Sequence, residues 1–267
     1  MTAKDQLAVT IVQSELYWEI PETNRTHFLS LLRASDPKSD VIVLPEMFTT
    51  GFSMKTELAE VGTNTLNWMR SVSVEFDAAV IGSVMTKEGE QSFNRLYVVF
   101  PSGEYQTYDK RHLFSFAQEH EHFTAGEDRL IVEFRGWKIC PMICYDLRFP
   151  VWSRNAEING GDMSFVYDLL IYVANWPEAR RRPWTTLLEA RAHENQAYVV
   201  GVNRVGSDGM NIEYSGDSAV FSPRGERLSN TEPYMESVET VILSKVDLDA
   251  FREKFTPWND KDRFEIK

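Results

Sequence analysis

Cysteine is scarce in this sequence. The 267 residues include two cysteines, Cys140 and Cys144. Two cysteines cannot form the disulfide framework that stabilises small secreted domains, and such low usage is typical of proteins from a reducing compartment. The sequence is therefore not that of a disulfide-rich protein, and we expect a cytoplasmic location.

Long hydrophobic runs are also absent. No apolar stretch approaches the roughly 18 residues that a membrane-spanning helix needs. The first six residues, Met1 to Gln6, lack the apolar segment of a secretory signal peptide. We therefore expect no membrane segment and no membrane partner.

Positive charge is in deficit. Lysine and arginine total 28 against 40 aspartates and glutamates, which gives a formal net charge of −12. The largest basic cluster is the triplet 180–182, which we expect to be a solvated loop or helix start. A general nucleic-acid-binding protein would normally show a basic face, so this class is excluded. An anionic substrate would have to be held by local groups rather than by the overall field.

Strand and helix patterns alternate along the whole chain, which is typical of an α/β fold. Two hairpins indicate that part of the sheet is antiparallel. No linker or repeat interrupts the pattern, so we predict one domain over 1–267, with a core at about 7–246 and a C-terminal tail at 247–267. Strands are predicted over 7–13, 41–44, 78–85, 95–100, 104–108, 130–134, 137–144, 169–174, 197–203, 217–222 and 238–246. Helices are predicted over 21–34, 63–76, 150–157 and 184–195. A long loop is predicted over 111–128 and an excursion over 157–167.

Reactive side chains follow three of the predicted strands. Glu46 comes after an apolar strand, Lys110 after the second strand of a hairpin, and Cys144 at the end of another apolar strand. In α/β proteins, reacting groups lie beyond the carboxyl ends of strands. A cysteine needs a base to become a good nucleophile, and a fixed ammonium can stabilise an oxyanion. A nucleophile, a carboxylate and an ammonium in these positions predict a covalent amide hydrolase.

The segments around these residues resemble the signature blocks of the nitrilase superfamily, the carbon–nitrogen hydrolases. These blocks are 44–48, 108–114 and 143–150, with further matches at 175–177 and 191–196. The resemblance implies a four-layer αββα sandwich with mixed sheets and helices on both outer faces. It also implies that Glu46 is the general base, Lys110 the oxyanion stabiliser and Cys144 the nucleophile. The family's second glutamate corresponds to Glu119, seven residues before Gly126.

Segments 48–54 and 145–154 resemble the omega-amidase branch of this superfamily. That resemblance implies hydrolysis of the terminal amide of small 2-oxo acids, such as 2-oxoglutaramate and 2-oxosuccinamate, to the dicarboxylate and ammonia. No metal or organic cofactor is implied, and the partners are the small amide substrate, water and a second copy of the chain in a homodimer. The stretch 157–167 is longer than is usual for this branch.

Four residues are candidates for binding the substrate: Tyr145, Arg148, Phe52 and Trp176. A guanidinium binds a carboxylate with two parallel hydrogen bonds, so Arg148 is the candidate for the substrate carboxylate. An internal ion pair of Arg148 with Asp146 or with another acidic residue of the loop is an equal alternative. The backbone N–H of Tyr145 is a candidate oxyanion donor, and the aromatic side chains either line the pocket or belong to ordinary packing.

Three other functions compete with this interpretation. A metal site is one, since His112, Glu119, His120, Glu121 and His122 cluster in one loop, although their spacing matches no compact metal motif. A non-catalytic binding protein is another, but it would have replaced at least one signature residue. Within the superfamily, nitrile hydrolysis and N-carbamoyl amide hydrolysis would use the same three residues, because pocket shape decides the substrate.

Overall fold

Two β-sheets face each other in the computed structural model, which describes residues 4–59, 64–156, 164–262 and 265–266. With strands numbered in chain order, the first sheet contains β1 (Gln6–Gln13), β2 (Val41–Val43), β3 (Ala79–Glu88), β4 (Gln91–Val99), β5 (Tyr105–Asp109) and β13 (Ser237–Ser244). Their spatial order is β13-β1-β2-β3-β4-β5. The β1–β2 and β2–β3 pairs are parallel and the remaining pairs are antiparallel, so the sheet is mixed as predicted.

The second sheet contains β6 (Val132–Phe134), β7 (Trp137–Ile143), β8 (Leu169–Ala174), β9 (Tyr198–Asn203) and β12 (Ala219–Phe221). Its spatial order is β12-β9-β8-β7-β6, with β7, β8 and β9 parallel. A separate ribbon pairs β10 (Val205–Ser207) with β11 (Glu213–Ser215). Parallel strands bring their carboxyl ends to one edge of a sheet, which is where the candidate reactive residues follow them.

Helices cover the outer faces of both sheets. Phe28 and Met69, from the first two helices, pack in one cluster with Ile42 of the first sheet. The fourth helix packs so closely on β9 that a Cβ at Gly201 would lie 2.4 Å from Leu188. The helices are α1 (Pro21–Ser35), α2 (Asn64–Glu75), α3 (Glu119–His122), α4 (Arg181–Asn195) and α5 (Lys245–Lys254). The predicted αββα sandwich is confirmed.

The alternation of side chains along β2 explains why its sequence is apolar throughout. Val41 and Val43 point into the cluster between the sheets, whereas Ile42 and Leu44 pack beneath the helices. Successive residues of a strand point to opposite faces. A strand that is covered on both faces therefore reads as a continuous hydrophobic run.

The helix predicted over 150–157 is wrong. A five-residue 3₁₀ helix occupies Cys144–Arg148 instead, and residues 150–156 form turns, while residue 157 lies outside the described residues. Asn155 explains the turns: its side-chain oxygen accepts hydrogen bonds from the backbone N–H groups of Val166 and Tyr167, each at 2.9 Å. These bonds close the base of the excursion 157–167, of which residues 157–163 are also outside the described part.

Other segments also differ from the sequence expectation, and the strands β10 and β11 were not predicted. The loop 111–128 contains a 3₁₀ helix, Ser115–Ala117, and the short helix α3. The predicted tail contains most of α5, which begins where the Ser244 side chain accepts a hydrogen bond from the Asp247 N–H and which buries Leu248. Among the residues described, no helix combines the length and apolarity that a membrane crossing requires.

Asp40 ties the two sheets together at the edge opposite the reactive residues. It accepts hydrogen bonds from Lys4 Nζ at 2.5 Å, from the Ala8 N–H at 2.9 Å and from Arg135, which lies in the turn between β6 and β7. Burial opposes ionisation of this carboxyl, but the bonds from Lys4, Ala8 and Arg135 together lower its pKa.

We predict that Asp40→Asn lowers the free energy of unfolding by about 1–3 kcal/mol at neutral pH, because it removes the buried carboxylate partner of the Arg135 guanidinium and leaves it with the exposed carboxylate of Asp77. A lowered pKa stabilises the folded state above the unfolded value of about 3.9, and this stabilisation is lost as the pH falls through the folded value. The difference between variant and wild type should therefore stay constant down to about pH 4 and shrink below it. Urea denaturation across this pH range measures it.

Glu75→Gln is the matched control, because Glu75 pairs with an Arg33 side chain that is 60% exposed. Exposed pairs contribute at most about 1 kcal/mol. An Asp40→Asn protein as stable as the control would contradict the proposed tie between the sheets.

Candidate active site

Three strand ends bring their polar side chains to one point. Glu46 lies just past β2, Lys110 directly follows β5 and Cys144 directly follows β7. Lys110 Nζ donates a hydrogen bond to Glu46 Oε1 at 2.8 Å, and both side chains are fully buried. Lys110 and Cys144 line the same cavity. The structure thus brings together the three residues that the sequence had singled out.

The Lys110 ammonium lies between two buried carboxylates. Besides Glu46, it donates to Glu119 Oε1 at 3.0 Å and to Glu119 Oε2 at 2.9 Å. Burial by itself would lower the pKa of Lys110, but the negative charges of Glu119 and Glu46 outweigh burial and raise it. The amine therefore stays protonated and is a fixed positive charge beside Cys144.

Glu119 reaches this point because the loop that carries it is pinned at its base. The Gly126 N–H donates to the Lys110 carbonyl oxygen at 3.0 Å, and a Cβ at Gly126 would lie 2.2 Å from the Asp109 carbonyl oxygen. The Phe114 N–H also donates to Glu119 Oε2 at 2.5 Å. Burial and the charge of Glu46 raise the pKa of Glu119, against the opposing effect of Lys110.

Two asparagines hold the carboxylates in place. Asn94 Nδ2 donates to Glu46 Oε1 at 2.8 Å and to Glu119 Oε1 at 3.1 Å, so one amide group orients both acids. The Asn175 N–H donates to Glu46 Oε2 at 2.8 Å. Sequence analysis missed Asn94. The sequence offers only one sign of its role, a polar amide within a strand, and the structure shows that this side chain is fully buried.

The turn that carries Cys144 is strained and is held by Asp146. Cys144 has φ of +43°, in the left-handed region that costs a non-glycine residue free energy. Asp146 Oδ2 accepts hydrogen bonds from the Ile143 N–H at 3.0 Å and from Tyr108 Oη at 2.7 Å. Its Oδ1 accepts from the His112 N–H at 3.1 Å. This buried carboxylate links the ends of β5 and β7, so it fixes the cysteine relative to the lysine.

The Cys144 thiol is neutral in the resting site. Burial and the charge of Glu46 raise its pKa well above the ordinary value, while Lys110 lowers it by less. The side chain is only 9% exposed, and Sγ lies 3.9 Å from the Asn175 carbonyl oxygen. A neutral thiol must lose its proton as it attacks, and Glu46 is the neighbouring carboxylate that can accept it.

A cavity of about 270 Å³ opens onto the thiol, and all four predicted substrate-binding residues line it. Its lining is largely aromatic, with a small number of cationic and polar groups. Phe48 does not line it and packs instead against Phe28 in the core. The lining residues are Phe52, Lys110, Phe114, Phe116, Ala117, Cys144, Tyr145, Arg148, Asn175, Trp176, Pro177, Arg180, Ile212 and Tyr214.

Within the described residues, Arg148 makes no ion pair, and its Cζ lies 4.9 Å from the centre of the Trp176 ring. Asp146 is bonded to other groups, so the structure does not contain the internal Arg148–Asp146 pair that the sequence left open. The triplet 180–182 stands at the start of α4, as predicted, and Arg180 in addition lines the cavity. Arg181 pairs with Asp217 and Arg182 is exposed.

The residues of the competing metal site do not converge. His112 bonds to Asp146, Glu119 bonds to Lys110, and His120, Glu121 and His122 are exposed. In the part of the chain that the structure describes, no group of three or more histidine, cysteine or acidic side chains is arranged to hold a metal ion. Cys140 is fully buried, and burial raises its pKa to about 12.

Comparison with known proteins agrees with this geometry. The sequence model of the carbon-nitrogen hydrolase family matches residues 8–254. The chain is 47% identical over 259 residues to the omega-amidase YafV of Yersinia enterocolitica, with 97% of this chain and 98% of the relative covered. It is 31% identical to the 2-oxoglutaramate amidase of Bacillus subtilis, with 92% of each covered. It superposes with a TM-score of 0.94 and 41% identity on XC1258 from Xanthomonas campestris, a CN-hydrolase superfamily protein with an arsenic adduct in its active site, covering 99% and 100% of the two chains.

We predict that Cys144 deprotonates only at a higher pH than an ordinary thiol does, because burial and the charge of Glu46 raise its pKa. Glu46→Gln should lower the pKa of Cys144, since it removes a negative charge and leaves the Lys110 ammonium. The ultraviolet absorbance of the thiolate, followed against pH as a difference from Cys144→Ala, measures the pKa of Cys144 in the wild type and in Glu46→Gln. Cys140→Ala should leave the titration unchanged. A thiolate already present in the wild type at pH 6 would contradict the neutral resting state.

Proposed function

The chain belongs to the carbon–nitrogen hydrolase family, and we propose that it is an omega-amidase. It hydrolyses the terminal amide of small 2-oxo acid monoamides, such as 2-oxoglutaramate and 2-oxosuccinamate, to the dicarboxylate and ammonia. The observation that carries this proposal is the contact of Lys110 with Glu46 beside Cys144, at the base of a cavity that also holds a free guanidinium. The names of the relatives at 47% and 31% identity support the substrate class.

In the first half of the reaction, Cys144 Sγ attacks the amide carbonyl carbon and its proton passes to Glu46. The developing oxyanion is stabilised by the Lys110 ammonium and by the backbone N–H of Tyr145. That N–H lies in the first turn of a 3₁₀ helix and has no acceptor among the described residues. The C–N bond then breaks, Glu46 returns the proton to the leaving nitrogen, and ammonia departs from a thioester.

In the second half, Glu46 removes a proton from water, and the hydroxide attacks the thioester carbonyl. The C–S bond breaks, the acid is released and Cys144 regains its proton. Glu46 serves as the base and acid in both halves because Asn94 and the Asn175 N–H hold its two oxygens. No step requires an oxidant or reductant, so residues of this chain and water suffice.

Glu119 is a positioning residue for Lys110 and for the substrate amide. Its two oxygens bind the ammonium, and Asn94 joins it to Glu46. Two acids around one ammonium leave a local excess of negative charge if both are ionised. This excess disfavours a resting thiolate, so the cysteine is activated only when the substrate's carbonyl can take up the negative charge.

The cavity fits a short substrate with an apolar middle and an anionic end. The aromatic side chains of Phe52, Tyr145 and Trp176 supply walls for the methylene groups. Arg148, whose guanidinium stacks on Trp176, binds the substrate carboxylate with two parallel hydrogen bonds.

We also propose that residues 1–267 act as one carbon–nitrogen hydrolase domain in the cytoplasm, and that two copies form a homodimer. A core cluster that draws on both sheets supports the single domain, and two free cysteines support a reducing compartment. Val151, beside the nucleophile's turn, is 52% exposed and offers apolar surface for a partner copy.

Sedimentation equilibrium should give twice the mass of one chain at micromolar concentration, and Val151→Glu should shift the distribution toward the monomer by placing a charge in the contact. Val74→Glu, at another valine that is 63% exposed, is the control. A wild-type monomer at all concentrations would contradict the dimer.

We predict that Cys144→Ala lowers ammonia release from 2-oxoglutaramate by about four to six orders of magnitude, as removal of a catalytic nucleophile does. Cys140→Ala, a change at the other buried thiol, should keep activity, and thermal unfolding verifies that both variants fold. Ammonia release from 2-oxoglutaramate, 2-oxosuccinamate, glutamine, a simple nitrile and an N-carbamoyl amino acid tests the substrate class. Higher kcat/KM for the nitrile or the N-carbamoyl compound than for the 2-oxo acids would overturn the omega-amidase proposal.

A further inference from the structure

Arg180 and Arg148 differ from the other partly buried arginines of the described residues. The guanidiniums of those arginines donate to protein oxygens, for example Arg129 to the Arg154 carbonyl and Arg252 to Asp168. Arg180 and Arg148 contact only aromatic rings through their guanidiniums. Because partly buried polar groups are normally hydrogen-bonded, these two guanidiniums offer free donors to a ligand.

Arg180 lies at the mouth of the cavity. Its Cζ is 4.9 Å from the centre of the Phe116 ring and 5.5 Å from that of Phe114. Phe116 is 78% exposed, so the side chain of Arg180 sits where the cavity meets solvent. Stacking on two rings orients the planar guanidinium while its N–H groups remain unbonded.

The two arginines are joined through one indole. Arg148 stacks on the Trp176 ring, and Trp176 Nε1 donates a hydrogen bond to the Arg180 carbonyl oxygen at 2.7 Å. Both arginines line the cavity, so its wall carries two cations in a chain whose net charge is −12. The positive potential is therefore local to the cavity and not a property of the whole surface.

We propose that Arg180 binds the 2-oxo end of the substrate together with Arg148, and that it selects 2-oxo acids against 2-amino acids. The inference rests on the omega-amidase function proposed above. It adds the residue that recognises the ketone group on the second carbon of the substrate. A 2-oxo carboxylate presents three acceptor oxygens, two on the carboxylate and one on the ketone. One guanidinium fork matches the two carboxylate oxygens. The N–H groups of Arg180 donate a hydrogen bond to the third acceptor, the ketone oxygen.

The same residue disfavours an amino acid such as glutamine. Glutamine carries an ammonium where 2-oxoglutaramate carries the ketone oxygen. An ammonium there would face the Arg180 guanidinium and would replace a hydrogen-bond acceptor by a like charge. Specificity of this kind comes from repulsion of the wrong ligand as well as attraction of the right one.

The experiment compares three amides that differ only at the second carbon: 2-oxoglutaramate, glutaramate, which lacks the oxo group, and glutamine. For Arg180→Gln, kcat/KM on 2-oxoglutaramate should fall about 10- to 100-fold, mainly through KM, because a hydrogen bond to a charged donor is lost. The loss on glutaramate should be at most about threefold, and activity on glutamine relative to 2-oxoglutaramate should rise.

Arg148→Gln and Arg182→Gln are the comparison variants. Arg148→Gln should lose activity on both 2-oxoglutaramate and glutaramate, because both carry the carboxylate. Arg182 is exposed and does not line the cavity, so Arg182→Gln removes the same charge from the same segment and should retain wild-type selectivity. Arg180→Lys, which keeps the charge without the fork, should fall between wild type and Arg180→Gln on 2-oxoglutaramate.

The inference would be overturned if Arg180→Gln lowered kcat/KM equally on 2-oxoglutaramate and glutaramate. It would also be overturned if the variant preferred 2-oxoglutaramate over glutamine as strongly as the wild type does. Failure of the proposed function looks different, because the wild type would then show a higher kcat/KM on a nitrile or an N-carbamoyl amino acid than on 2-oxoglutaramate. If Arg180→Gln does not fold, Arg180→Lys decides alone: an unchanged ratio of kcat/KM on 2-oxoglutaramate to kcat/KM on glutaramate in that folded variant would also reject the inference.

Discussion

The site depends on one buried ammonium held between two buried carboxylates. Lys110 is fully buried and donates to Glu46 and Glu119, while Asn94 bonds to both acids. A buried charge is tolerated only when it is paired and hydrogen-bonded, so none of these side chains can be understood alone. This arrangement keeps the lysine protonated and the Cys144 thiol neutral, which is what a nucleophile needs if it is to be activated only during attack.

Backbone geometry places these groups within reach of one another. Met47 and Cys144, which follow Glu46 and Ile143, both have positive φ, at +41° and +43°. Each turn directs the chain sharply away from its strand just where a reactive side chain is needed. A strained backbone conformation of this kind persists only where several surrounding interactions hold it in place. Asp146, with its hydrogen bonds to three segments, provides those bonds around the cysteine.

The cavity adds specificity to chemistry that the family shares. In the proposed mechanism Cys144, assisted by Lys110 and Glu46, can attack the carbon of many carbon–nitrogen bonds, so the shape and charge of the cavity wall must select among substrates. Here the wall is rich in aromatic side chains and carries two guanidiniums that contact aromatic rings but donate no hydrogen bond within the described chain. In an acidic protein, these local cations make an anion the natural ligand of this cavity.

Local pattern was enough to predict most of the strands, the α/β class and the strand-end positions of Glu46, Lys110 and Cys144, because apolar runs and the residues that end them are written in consecutive positions. The αββα sandwich was instead implied by the resemblance to the nitrilase superfamily, and the short strands β10 and β11 were not predicted. The preference for Glu119 over Glu121 came from the resemblance as well, because the family's second glutamate stands seven residues before a glycine, here Gly126. The helix predicted over 150–157 was wrong, since Asn155 bonds to backbone groups that are distant in sequence. Asn94 and Arg180 were missed for the same reason: a buried amide and a solvated-looking arginine acquire their meaning only from neighbours contributed by other strands and loops. Sequence alone therefore determined which chemistry this protein carries, and only the tertiary structure decided which side chains orient that chemistry and which face its substrate.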